Sequence, residues 1–414
     1  MKILHTFRLN RVKWRHWLLL VLLLLITLAK MIPLWGFIYT TRIYPIIGTL
    51  LSPISGFFPF AVGDIFIVLS IAWVIFYPIY EIGLRKKLAK RYFFLAAKKG
   101  SYPKKKVIFG RVAEYLLWVY AWFYIAWGLN YSQPNIYDRT GMKPVKVSEA
   151  KFKAFAYQYA DSLNALSISE KSFFSDSIAD DGLKNRVWDA ILKEYNKIGY
   201  KEGINAPFNQ HPHVKTMVFT PLSSMSGVTG SMGPFFCEFT LNGDILPHDY
   251  PATYAHEFAH FLGVANEGEA NFYSYIVCTA SADKLMRFSG YYHIFFHVLN
   301  NVFDILGEKE GERFLKHIRP EIIQLAKSDR RYWLGKRCKA LDAAQDFIFE
   351  LYLRSNHVAE GRKSYSGVVG LILAWEEKKI ILEWYDYMTI QNGKSKKGDT
   401  FFRYQLNFCI IFFF

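Results

Sequence analysis

Within the run YAHEFAHFLGVANEGEANF (254–272), His256 and His260 stand four residues apart with Glu257 beside the first, and Glu267, Glu269 and Asn271 follow. On a helix the two histidines share one face, so both imidazoles can reach a single zinc ion. Zinc lowers the pKa of a bound water, and a neighbouring carboxylate can take its proton and return it to a leaving amine. His256 and His260 are therefore candidate metal ligands, and Glu257 is the candidate general base of peptide-bond hydrolysis.

A catalytic zinc needs a third protein ligand and one open position. Gly263 can end the first helix in a left-handed conformation and let the chain reverse into a second helix starting at NEGEANF. Glu267 and Asn271 share a face of that helix, whereas Glu269 lies about 200° around it from Glu267. Glu267 is the favoured third ligand and Glu269 the alternative. Asn271 is placed to orient a zinc-bound histidine by a hydrogen bond.

HEFAH followed by EGEAN resembles the gluzincin metallopeptidases, in which a glutamate ligand follows on the next helix with an orienting acid or amide four residues later. Asn271 stands where that group usually has Asp. The run HExxHxxG is also a metzincin feature, but the third histidine of that group would fall at 266, which is Asn266.

The elements that carry this site must be reconciled with an apolar chain: 52% of 414 residues are hydrophobic and 18% aromatic. Three runs read as transmembrane helices, at about 16–35, 57–80 and 107–130, each long enough for a bilayer core of roughly 30 Å. Residues 1–131 carry 18 Lys and Arg against three acids, and 132–414 carry 33 against 32. The excess lies ahead of the first run and in the loop 82–106, which reads as topogenic, with the N-terminus inside and everything after about Tyr131 outside. A nucleic-acid partner is excluded, because the folded part after 131 is nearly neutral.

Two amphipathic helices are expected at about 148–166 and 181–198, then two strand-like runs at 215–220 and 234–241. The expected fold class is α+β: three transmembrane helices followed by a mostly helical zincin-like domain with a small sheet. The expected division is a membrane anchor 1–131, a metallopeptidase-like domain 132–380 and a tail 381–414 without assigned role. GPFFCEFTL suits either an edge strand that captures an extended peptide or a core strand. Tyr291, Tyr292, His293 and Tyr365 are candidate oxyanion donors by type. His211, His213, His248 and His297 read as structural or exposed, and the four cysteines form no metal-binding pair.

WGLNY (127–131), GPFFCEF, HEFAHFLGVANEGEANF, RFSGYY (287–292) and SYSGVVGLILAW (364–375) together resemble an uncharacterised family of bacterial three-span membrane proteins with a predicted extracytoplasmic zinc-peptidase domain. The resemblance implies a zinc metallopeptidase at the outer face of the inner membrane, acting on a peptide or protein and held in the lipid bilayer. The alternative is a noncatalytic membrane binding or sensor protein with a vestigial or structural metal site. An intramembrane protease is disfavoured, because His248, Asp249 and the EGE run would be expensive in lipid.

Overall fold

The run WRHWLLLVLLLLITLAKM forms α1 (Trp14–Met31), and Pro33 ends it by restricting Ile32 to extended backbone. The computed structural model describes residues 13–91, 105–146, 148–167, 180–209, 214–339 and 367–391. His211, His213, Tyr365, Cys409 and the tail beyond 391 lie outside the described residues.

Residues 1–133 and 208–244 group into one unit, and 134–207 with 245–414 into a second. The first unit continues from α1 through α2 (Pro33–Ile38), a π-helical turn (Tyr39–Ile43) and α3 (Tyr44–Gly56) to α4 (Val62–Arg91) and α5 (Lys105–Ala126). The π turn ends at Ile43, two residues before Pro45, whose missing N–H breaks the regular ladder.

Among the described residues two helices are long and apolar enough to cross a membrane: Trp14–Met31 and the part of α4 from Val62 to Leu84. These two are the ones the structure supports of the three expected. α5 forms where the third span was expected, but it carries Lys105, Lys106, Arg111 and Glu114 and is not one of these two helices.

The sheet belongs to this first unit rather than to the unit of the histidine helices. Strands β1 (Lys215–Thr216), β2 (Gly230–Gly233) and β3 (Glu238–Leu241) pair in the order β1-β3-β2, parallel then antiparallel. Lys215 Nζ donates to Glu238 Oε2 at 2.6 Å and to Ser55 O at 2.6 Å. Glu238 Oε1 accepts from Gly63 N. This buried pair ties the sheet to the start of α4. β3 is central, with Thr240 and Leu241 paired on both sides, so that half of the strand offers no edge to a peptide. The stretch 217–220 expected as strand turns instead into α9 (Thr220–Met225), with Pro221 in its first turn.

In the second unit, α6 (Ile136–Thr140), α7 (Glu149–Ser167) and α8 (Asp181–Ile198) precede the central pair α10 (Tyr250–Phe261) and α11 (Glu267–Ala280). α12 (Lys284–His293), α13 (Phe295–Leu306), α14 (Glu308–His317), α15 (Pro320–Lys336) and α16 (Val368–Gln391) follow. The amphipathic stretches 148–166 and 181–198 fold as α7 and α8. α10 is buried along its whole length, with Tyr254, Phe258 and Phe261 in the core of the unit.

Candidate metal centre

α10 is held at both ends by side chains that satisfy groups a helix terminus leaves unpaired. Ser289 Oγ accepts from Ala252 N at 3.0 Å, and Asn205 Nδ2 donates to Leu262 O at 2.8 Å. Gly263 then takes φ +96°, a conformation that favours glycine, and Val264 N closes back on Ala259 O. Asn266 caps α11 by accepting from Glu269 N. Ala252 lies close enough to α11 for Ser274 Oγ to reach its carbonyl at 2.7 Å. This short reversal sets the first turn of α11 against the face of α10 that carries the histidines.

The structure brings His256, His260 and Glu267 together, with one ligand atom of each within 4.8 Å of the others. His256 Nε2 lies 3.1 Å and His260 Nε2 3.4 Å from Glu267 Oε2, and the two nitrogens are 3.0 Å apart. Four atoms bound at 2.0–2.1 Å in a tetrahedron are separated by about 3.3 Å, so these spacings match three corners of a zinc site.

The far side of each ring explains the orientation. His256 Nδ1 donates to Asn271 Oδ1 at 2.8 Å, and His260 Nδ1 donates to Val264 O at 2.6 Å. Both acceptors are oxygens, so the network assigns both protons to Nδ1 and turns both Nε2 lone pairs toward Glu267. Two ring nitrogens 3.0 Å apart beside a carboxylate share one positive charge between them, which either a proton or a metal ion can supply. Burial alone would lower the pKa of His260, but the Glu267 carboxylate outweighs it and raises it to about 9. Burial pushes Glu267 up, and His260 with His256 more than reverse this, holding it well below the usual carboxylate range.

Glu257 is buried beside the pair, and its Oε2 has no hydrogen-bond partner. Burial raises its pKa, the two histidines oppose the rise and Glu267 adds to it. Glu269 is not at this cluster. Its carboxylate accepts from Arg139 Nη2 at 2.5 Å and from Ile136 N at 3.1 Å, pinning α6 to α11.

Asn271 Oδ1 accepts a second bond, from His293 Nε2 at 2.9 Å. Burial, followed by His256 and His297, lowers the His293 pKa to about 3 and keeps it neutral. His293 therefore supports the centre from behind rather than facing it as an oxyanion donor. Tyr292 donates to Asp329 Oδ2, and Tyr291 packs against Tyr159 and Tyr275. This leaves the Tyr292 hydroxyl occupied. His248 is buried and bonded to Asp329 at 3.0 Å, with Asp249 at 3.6 Å, and His297 is neutral through burial. Cys237 and Cys278 are buried free thiols outside the cluster. Sequence reasoning missed Arg139, the Val264 carbonyl and the supporting role of His293, since nothing in their spacing marks them.

An HExxH helix whose histidines meet a glutamate from the following helix makes a candidate metal centre within a mostly helical protein that also carries two helices long and apolar enough to cross a membrane. The chain belongs to the family described as protein of unknown function (DUF3810), which it matches over residues 39–373. No curated protein matches it, and no solved structure does.

Proposed function

We propose that this protein is a membrane-anchored zinc metallopeptidase, with His256, His260 and Glu267 as ligands and Glu257 as general base. The observation that carries the reading is the convergence of three ligand atoms at tetrahedral spacing with both Nδ1 atoms pinned by oxygens. Zinc held there would supply Lewis acidity and a water nucleophile near neutral pH. The unpartnered Glu257 Oε2 is free to accept the proton of that water and pass it to the leaving amine. Asn271 and Val264 hold the imidazoles in the tautomer that faces the ion, and the burial of the cluster strengthens each of these interactions.

A purely structural metal site has ligands but no use for Glu257, so this residue separates the peptidase from a binding or sensor module. A peptide-library cleavage assay on the detergent-purified protein tests the choice. Cleavage that is lost in Glu257→Gln while zinc is retained supports the peptidase. Zinc without cleavage in the wild-type chain supports the module.

α5 serves as a third crossing in this proposal. Its polar groups pair with the other anchor helices: Glu114 with Arg15, Arg111 with Tyr77 at 2.7 Å and Tyr115 with Ser70 at 2.7 Å. Charged groups in membrane helices pair in this way when they face the bundle rather than lipid. With the N-terminus inside, three crossings put the metal centre outside the cytoplasm.

A further inference from the structure

α3 is folded inside out. On the surface of a water-soluble protein a helix turns its apolar stripe inward and its polar face outward. In α3 the side chains four residues apart on the exposed face are Ile46, Leu50 and Ile54, at 62%, 64% and 59% exposure, and Phe57 continues the line at 85%. The buried face is the small and polar one: Tyr44, Gly48, Ser52 and Ser55.

That buried face is fully engaged. Tyr44 Oη lies 3.4 Å from Cys237 Sγ, Asn209 Nδ2 donates to Ser52 Oγ at 2.7 Å, and Lys215 Nζ donates to Ser55 O at 2.6 Å. A Cβ on Gly48 would lie 2.4 Å from the Phe208 ring, so this glycine permits the close approach. The helix cannot roll its apolar stripe inward without breaking these contacts.

We infer that α3 lies in the membrane, with Ile46, Leu50, Ile54 and Phe57 in the acyl layer of one leaflet, and forms a lipid-embedded platform for the small sheet. The inference rests on the anchor reading above. α3 joins two apolar helices, α1 and α4, long enough to cross. Its 13 residues reach about 20 Å, too short to span the core itself. Arg42 is exposed one turn before Ile46, where a guanidinium can reach lipid phosphate while its stem stays in apolar surroundings. α9 and the residue before it carry a second exposed apolar patch, Phe219, Leu222 and Met225, beside the start of α4. Asp64 holds it there by accepting from Val218 N at 3.1 Å. An inverted stripe continuous with membrane helices fits lipid better than a protein partner.

The test uses the full chain with Cys338→Ser and Cys409→Ser, reconstituted in phosphatidylcholine vesicles. An environment-sensitive fluorophore is attached through Leu50→Cys or, as control, Leu69→Cys on the exposed side of α4. The inference predicts blue-shifted emission at both positions, loss of most intensity with doxyl-labelled lipid, and indifference to aqueous iodide. Iodide quenching at 50 with lipid quenching at 69 overturns the platform and leaves the anchor standing. Protection of 50 from both quenchers, with a cross-linkable dimer, overturns it in favour of a second copy of the chain. Iodide quenching at 69 overturns the anchor reading and the platform with it.

Discussion

Arg139 takes the glutamate that helix geometry turns away from the histidines. Its side chain is buried with Glu269, while Glu267 meets His256 and His260. Glu269→Gln leaves a buried guanidinium without its counter-charge, which costs about 3 kcal/mol of stability, while zinc stoichiometry stays at the wild-type level. Glu267→Gln also lowers the melting point of the metal-free protein, because it removes the buried carboxylate paired with His260, but here zinc is lost, so zinc content separates the two variants. Thermal melting beside elemental analysis reads both. His293→Ala removes one of the two donors that fix Asn271 and lowers zinc affinity about 10- to 100-fold, as the loss of a supporting hydrogen bond does; competition with a fluorescent chelator measures it. Much of the cluster was legible in the sequence, because a spacing of four places His256 and His260 on one face by helix geometry alone. The choice between Glu267 and Glu269 rested there on helical phase, whereas the partner of Glu269 lies 130 residues earlier in the chain. No local pattern contains that partner.

Two helices and a tight reversal hold the centre, so its quality depends on how closely α11 is packed. A Cβ on Gly290 of α12 would lie 2.6 Å from the Cys278 Cβ of α11. Gly290→Ala gains up to about 1 kcal/mol of helix propensity but overpacks this crossing by about 1–3 kcal/mol. The expected net result is a lower unfolding midpoint in detergent together with weaker zinc retention. Chelation acts on the same elements: an ion joining α10 to α11 at 100 times its dissociation constant adds about 2.7 kcal/mol, and removing it lowers the melting temperature accordingly. At this scale periodicity recovered α7 and α8, and Gly263 marked the end of α10. β2 escaped it because GSMG carries no β-branched residue and is a strand only through its pairing with β3. The inverted face of α3 was also hidden, since a sequence shows a stripe but not which side of it is covered.

For the whole molecule, the compartment of the metal centre follows from the number of crossings. Two crossings return the chain to the side of its N-terminus, and three carry it across. A phosphatase reporter fused after residue 133 is expected to be active, as an enzyme that folds only outside the cytoplasm, and a fluorescent protein fused there is expected to be dark. The opposite pair of results would leave α5 packed beside the membrane and the centre inside. The charge bias of residues 1–131 was readable from composition, whereas the grouping of 208–244 with the anchor helices depends on the Lys215–Glu238 pair and Ser55, which no count of residues reveals. The central claim is that one zinc ion sits between His256, His260 and Glu267. X-ray absorption at the zinc edge of the purified wild-type chain tests it most directly. The account predicts stoichiometric zinc with two imidazoles among nitrogen and oxygen neighbours at 2.0–2.1 Å, and none bound in His260→Ala. A chain that takes up no zinc, or one whose zinc shows sulfur neighbours and survives His260→Ala, would contradict it.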